Sequence, residues 1–170
     1  MGDKAYGVNI TKDAAFTRPA DTTTYAAGDV VCNSTSAPVS LKFKIAGANN
    51  CCVINQALLI DSANVATKPD LELWLFDTDV TVPNDNAAFA PTDAELLTLV
   101  GIIEFQTADF YAGIATAGAA GNSVCDVHNL GIPFNLTSST TNELFGVLVV
   151  RNAYVPVSGE VFTIRLKSLI

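Results

Sequence analysis

The sequence predicts an all-β protein: an antiparallel β-sandwich of jelly-roll type with one short helix and an extended N-terminal arm. Three observations predict it. Apolar residues recur with a period of two in several separate runs, clusters of Gly, Pro, Asn and Asp punctuate those runs, and only one place carries a helix-start pattern. The 170 residues show no internal repeat and no linker, so the chain reads as a single domain of residues 1–170, with residues 1–27 as the arm.

Met1 to Ala27 has no strong apolar rhythm, which is why it is assigned to the arm. In "VSLKFKIA", Leu41, Phe43 and Ile45 fall on one face and Lys42 and Lys44 on the other, as in a half-buried strand. "CCVINQALLI" is long, apolar and bounded by "GANN" and "DSAN". "LELWLFD" sets Leu71, Leu73 and Leu75 on one face with Trp74 and Phe76 opposite, so both of its faces are expected to be covered. Thr92-Asp93-Ala94-Glu95 is a capping box, in which hydroxyl and carboxylate satisfy free N–H groups, and it predicts a helical turn or two near Thr92–Leu97. "LVGIIEF", "LFGVLVVRN" and "VFTIRLKSLI" are three more strands, and "VPVSGE" offers Gly159 for a hairpin loop between the last two. "YAGIATAGAAG", Tyr111–Gly121, reads either as a mobile loop or as a flat patch where another backbone approaches closely.

Composition narrows the function classes. Charged residues are 15% of the chain, against about 25% in an average soluble protein. So little charge suggests a surface partly covered by a partner or by further copies of the chain. The net charge is −8, and no Lys or Arg occurs between Lys68 and Arg151. An acidic middle repels polyanions, which argues against nucleic-acid binding. No apolar run reaches the 18 or so residues that span a bilayer, so no membrane partner is expected. Met1 is followed by Gly2, Asp3 and Lys4 with no apolar stretch behind, so no signal peptide is expected, and Tyr6 breaks the myristoylation pattern. Cys32, Cys51, Cys52 and Cys125 then read as thiols of a reducing compartment, and the sequons at Asn9, Asn33 and Asn135 as accidental.

His128 stands alone among the histidines, which removes the paired-histidine zinc enzymes. No phosphate-binding loop, dinucleotide fingerprint or nucleophile elbow occurs. Cys125 and His128 are three residues apart in a loop or strand, a poor arrangement for a nucleophile and its base. Cys51 and Cys52 are adjacent, so in a strand they face opposite ways and cannot both join a zinc site. "FDTDVTVPNDN", Phe76–Asn86, is rich in oxygen ligands, but Thr81 and Val82 stand where a calcium-binding helix–loop–helix needs a ligand and a glycine. It remains either an irregular calcium site or a solvated loop bonding its own backbone. Trp74 lies in an apolar strand, where burial is expected instead of a sugar-stacking role. We expect no enzyme, no cofactor and no metal.

"RPADTTTYAAGDVV" (18–31), "LWLFD" (73–77), "NDNAAF" (84–89), "ELFGVLVVRNAYVP" (143–156) and the closing "GEVFTIRL" (159–166) occur in this order. Together they resemble a family of small virion proteins of tailed bacteriophages and prophages, over most of the chain from about Phe16. The resemblance implies a capsid decoration (cement) protein: a homotrimeric β-sandwich made in the bacterial host cytoplasm and bound outside the head. Its implied partner is the major capsid protein, whose neighbouring subunits it clamps. Phe16–Val31 would then be either a capsid-gripping arm or a surface loop. Its candidate contacts are Arg18, Asp21, Thr22, Tyr25 and Asp29, and replacing Arg18 and Tyr25 is expected to weaken attachment while leaving the fold intact. Two other readings compete: a receptor- or glycan-binding knob of a tail or head fibre, with Tyr25, Tyr111 and Asn-rich loops as contacts, and a hydrolase, for which no positioned acid–base constellation is visible.

Overall fold

The computed structural model describes residues 8–10, 13–44, 51–112, 121–135 and 142–169. Along the chain run β1 (Val8–Ile10), β2 (Ala14–Thr17), β3 (Val30–Val31), β4 (Leu41–Lys44), β5 (Cys51–Asp61) and β6 (Leu71–Phe76). Helix α1 (Asp93–Leu96) follows, then β7 (Leu99–Phe105), a 3-10 turn at Thr107–Asp109, β8 (Phe110–Ala112), β9 (Ser123–Asn135), β10 (Glu143–Val150) and β11 (Val161–Leu169). Two antiparallel sheets result. One has the order β1-β11-β5-β9-β8 with β2 also on β11, and the other β3-β10-β6-β7 with β4 also on β10. The protein is a β-sandwich.

Alternation explains which side chains lie between the sheets. Phe162, Ile164 and Leu166 of β11 and Leu59 of β5 meet Leu71, Leu73 and Leu75 of β6 and Leu144 and Leu148 of β10 in one core. Each such side chain contributes about 1.5–3 kcal/mol on full burial. In β5, Ile54 and Ala57 both face inward although they are three apart. A bulge between Ile54 and Gln56 supplies the extra residue that shifts the phase.

The second sheet is covered on both faces, as the two-sided pattern of Leu71–Phe76 anticipates. Phe76, Phe145, Val147 and Val149 point away from the first sheet and pack with Val80, Val82 and Phe89 of the segment after β6. Phe89 meets Trp74 edge-on at 5.5 Å. Thr92 caps α1 with both halves of the capping box in place, and Glu95 also accepts the Thr81 N–H at 2.8 Å. These bonds from Thr92 and Thr81 hold the Glu95 carboxyl down at about 2.

Two expectations need correction. The Gly159 turn does not close a hairpin: β10 and β11 belong to different sheets, and the chain crosses the sandwich between them. Residues 14–27 are not an arm either. Ala14–Thr17 is a strand paired with β11, and Tyr25 forms an antiparallel bridge with Tyr154. The physical reason is that Arg18 and Tyr25 find buried partners inside the domain. The longest strand, β9, alternates in two phases: Cys125 and Val127, then Leu130, Ile132 and Phe134, turn to the core, with the phase changing around Asn129 (φ 58°) opposite the β5 bulge. Ile45, most of "YAGIATAGAAG" and most of Met1–Lys12 lie outside the described residues.

Candidate contact surface

Arg18 follows β2 directly. With β2 held against β11, its guanidinium enters the end of the sandwich, where its side chain is fully buried. A buried cation needs partners. Asp85 supplies one, accepting from Arg18 Nη2 at 3.3 Å, and the Val157 carbonyl accepts from Nη1 at 3.3 Å. The guanidinium Nε donates to the Tyr25 hydroxyl. That hydroxyl donates in turn to Asp85 Oδ1 at 2.8 Å, and the Cys32 N–H reaches the same oxygen at 2.9 Å. Burial first, and Asp85 second, raise the Tyr25 phenol well above its ordinary range, so it stays a donor.

A second half mirrors the first. Tyr25 and Tyr154 exchange backbone hydrogen bonds at 2.9 and 3.3 Å, and their rings stack. The Tyr154 hydroxyl donates to Glu160, 2.6 Å from either carboxylate oxygen. The buried Asp61 lies in the same cluster: its Oδ2 takes the Ser123 hydroxyl at 3.0 Å and its Oδ1 the Ala63 N–H at 2.7 Å. Burial, helped by Asp61, pushes the Glu160 carboxyl up to about 8.

This network locks 18–29, 84–89 and 151–160 into one corner. Backbone bonds stitch the same segments: Gly28 N–H to Val150, Val30 N–H to Ala87 and Phe89 N–H to Gly28. Gly28 sits at φ +94°, a conformation that disfavours a side chain. Outward, the corner shows Thr22, Thr23, Thr24, Ala26, Val155 and Val157. The Tyr25–Tyr154 bridge sets Thr24 beside Val155, which is 61% exposed. The strip is uncharged and short in side chain, and the network beneath keeps its shape.

The five candidate contacts fall into three groups. Arg18 and Tyr25 are buried and shape the corner from within; they present nothing to a partner, so their loss acts on the fold. Asp21 and Asp29 turn to local backbone, accepting from Thr23 N–H at 3.0 Å and Ala26 N–H at 2.7 Å. Thr22 is exposed. Asp85, Tyr154, Glu160 and the outward Val155 and Val157 were missed. The available signal was that Asp85, Tyr154 and Glu160 sit inside the quoted blocks, which are far apart in sequence and adjacent here.

The remaining candidates do not converge. Cys125 is buried, and burial pushes its thiol up to about 12, while His128 is exposed and lies 3.2 Å from Asp126. Cys32 and Cys52 are buried too, and the Cys51 side chain lies outside the described residues. In the Phe76–Asn86 loop, Asp85 faces Arg18, Asp79 accepts from Ser40 at 2.6 Å, and Asp77 accepts from Thr78 at 3.0 Å. Among the described residues, no three His, Cys, Asp or Glu side chains are placed to hold a metal. The Trp74 indole donates to Glu72 at 2.9 Å, and Glu72 pairs with Arg151 at 2.7 Å.

No protein-family model matches the chain, and no curated protein matches it. Among solved structures, the chain is similar to one from the full particle of Israeli acute paralysis virus heated to 63 degrees. The identity is 12% and the TM-score 0.33, over 96% of this chain and 71% of that one. At that TM-score the likeness assigns no role.

Proposed function

We propose that the chain is a non-enzymatic structural protein of a tailed-phage virion, a decoration protein that binds the outside of the head and bridges major capsid subunits. One observation carries the reading: parts of four of the five blocks that resemble phage virion proteins close into a single corner, buried and polar within, with a pre-shaped strip of Thr, Ala and Val side chains outside, flanked by Asp21 and Arg151. A rigid contact strip loses little entropy on binding, and repetition over a shell makes modest affinity per contact sufficient. The winding of the chain agrees with the jelly-roll form of such proteins: β2-β11-β5-β9 lies across from β4-β10-β6-β7, with the chain passing back and forth between them.

The test is co-sedimentation with expanded shells that lack the protein. Wild-type chain is expected to saturate at a fixed ratio to capsid subunits. Val155→Asp combined with Val157→Asp puts two charges on the strip and should weaken binding by at least tenfold at unchanged thermal stability. A folded wild-type protein that does not co-sediment, or a double variant that binds as well as wild type, defeats the proposal. In the first case tail partners and glycans become the targets.

A further inference from the structure

Strand β7 ends the second sheet and has seven residues, whereas β1, β2, β3, β4 and β8, which also stand at sheet margins, have two to four. A long margin is a template for one more strand. Register shows which backbone groups of β7 are open. The Arg151 N–H donates to the Asp70 carbonyl, so Glu72 and Trp74 turn their backbone groups to β10, while Leu71, Leu73 and Leu75 turn theirs to β7. Their partners there are Phe105, Ile103 and Gly101. The N–H and C=O of Ile102 and Glu104 therefore point away from the sheet, and no described residue bonds to them. The bulge opposite Leu75 and Phe76 leaves Val100 outside this ladder, so the open stretch is Gly101 to Phe105.

The side chains along this stretch have one charge sign. Ile102 and Glu104 are exposed. Glu104 stands opposite Glu72 in register, and the two line a hollow of about 290 Å³ together with Asp70, Gln106 and Arg151. Arg151 is engaged by Glu72 at 2.7 Å, and Asp70 accepts from the Thr107 N–H and the Asn152 amide. Glu104 has only the Gln106 amide, at 3.3 Å, among the described residues. Three carboxylates against one guanidinium leave the hollow negative.

We propose that β7 receives an extended, basic segment of a partner protein as a further strand, with a Lys or Arg of that segment beside Glu104. Ile102 and Glu104 offer donor–acceptor pairs about 7 Å apart, the distance that an extended chain repeats every two residues. A cation opposite Glu104 supplies the charge that the hollow lacks. The pairing does not rest on the capsid reading, since it specifies the chemistry of the segment and not the protein that carries it.

Selection of a random peptide library, displayed on yeast, against the full chain tests the pairing. Enriched segments are expected to alternate β-branched residues and to carry a Lys or Arg. The best of them, synthesised, should slow amide exchange at Ile102 and Glu104. Ile102→Pro removes an outward N–H that β6 does not use, so this variant should fold and bind the peptide about tenfold less tightly. Glu104→Lys, which leaves the backbone edge intact, should weaken binding by about fivefold. The proposal is overturned if no segment enriches, or if the enriched segments have no preference for Lys or Arg. It is equally overturned if the peptide binds both variants as tightly as wild type. Wild type that dimerises where Ile102→Pro is monomeric would assign the edge to a second copy and overturn it as well.

Discussion

The rings of Tyr25 and Tyr154 stack with centres 6.2 Å apart and planes 12° from parallel, while their hydroxyls enter two different buried carboxyl groups, Asp85 and Glu160. The pair therefore joins two polar clusters that would otherwise be separate. It couples the segment after β2 to the crossing between β10 and β11, and so sets the shape of the strip outside.

Arg18→Ala should unfold the domain more easily instead of merely loosening a contact. Its loss leaves Asp85 buried without its cation, and breaking such a pair costs about 3–5 kcal/mol. Tyr25→Phe removes one donor to the same carboxylate and should cost about 1–3 kcal/mol. Urea unfolding midpoints check both, and an Arg18→Ala midpoint equal to wild type would show that the pair has no structural role.

Stability should fall from weakly acidic to weakly alkaline pH. The folded-state value of Glu160 is raised to about 8, above its ordinary 4.5, so between those values the folded protein holds a proton that the unfolded chain has released. Its contribution is full below about 4.5 and is lost as pH rises through about 8. Asp13, Asp21, Asp70 and Glu95 are shifted the other way, and their contributions disappear only at acid pH. Thermal midpoints measured between pH 5 and 9 should therefore decline in wild type and flatten in Glu160→Gln. A flat wild-type profile would show that Glu160 is not raised in the folded protein.

Gly146→Ala tests the packing between the sheets. A Cβ there would lie 2.9 Å from the Phe43 ring and 3.0 Å from Leu73. Overpacking of this kind costs about 1–3 kcal/mol. A variant as stable as wild type would mean that Phe43 has room to move.

The strands with regular alternation were legible because period two is imposed by the pleat itself. Leu41–Lys44 and Val161–Leu169 carry that pattern, and α1 announces itself through Thr92 and Glu95. Strand β9 was not read: its inward residues Cys125 and Val127, then Leu130, Ile132 and Phe134, change phase at Asn129, and Gly131 and Pro133 between them look like turn signals. The contact corner was legible only in part. Arg18 and Tyr25 were singled out, but a charged or phenolic side chain in a polar stretch looks the same in sequence whether it faces a partner or a buried carboxylate.

By itself, then, the sequence determined the class of fold and the two-sided burial of β6, since these follow from alternation and local propensity. The tertiary structure alone decided which sheet each strand joined, that the Gly159 turn crosses the sandwich, and that Arg18, Asp85, Tyr25, Tyr154 and Glu160 meet. Those outcomes depend on contacts between residues 60 to 140 positions apart. No local pattern encodes such contacts; they form because a buried charge or hydroxyl is stable only where the rest of the fold brings it a partner.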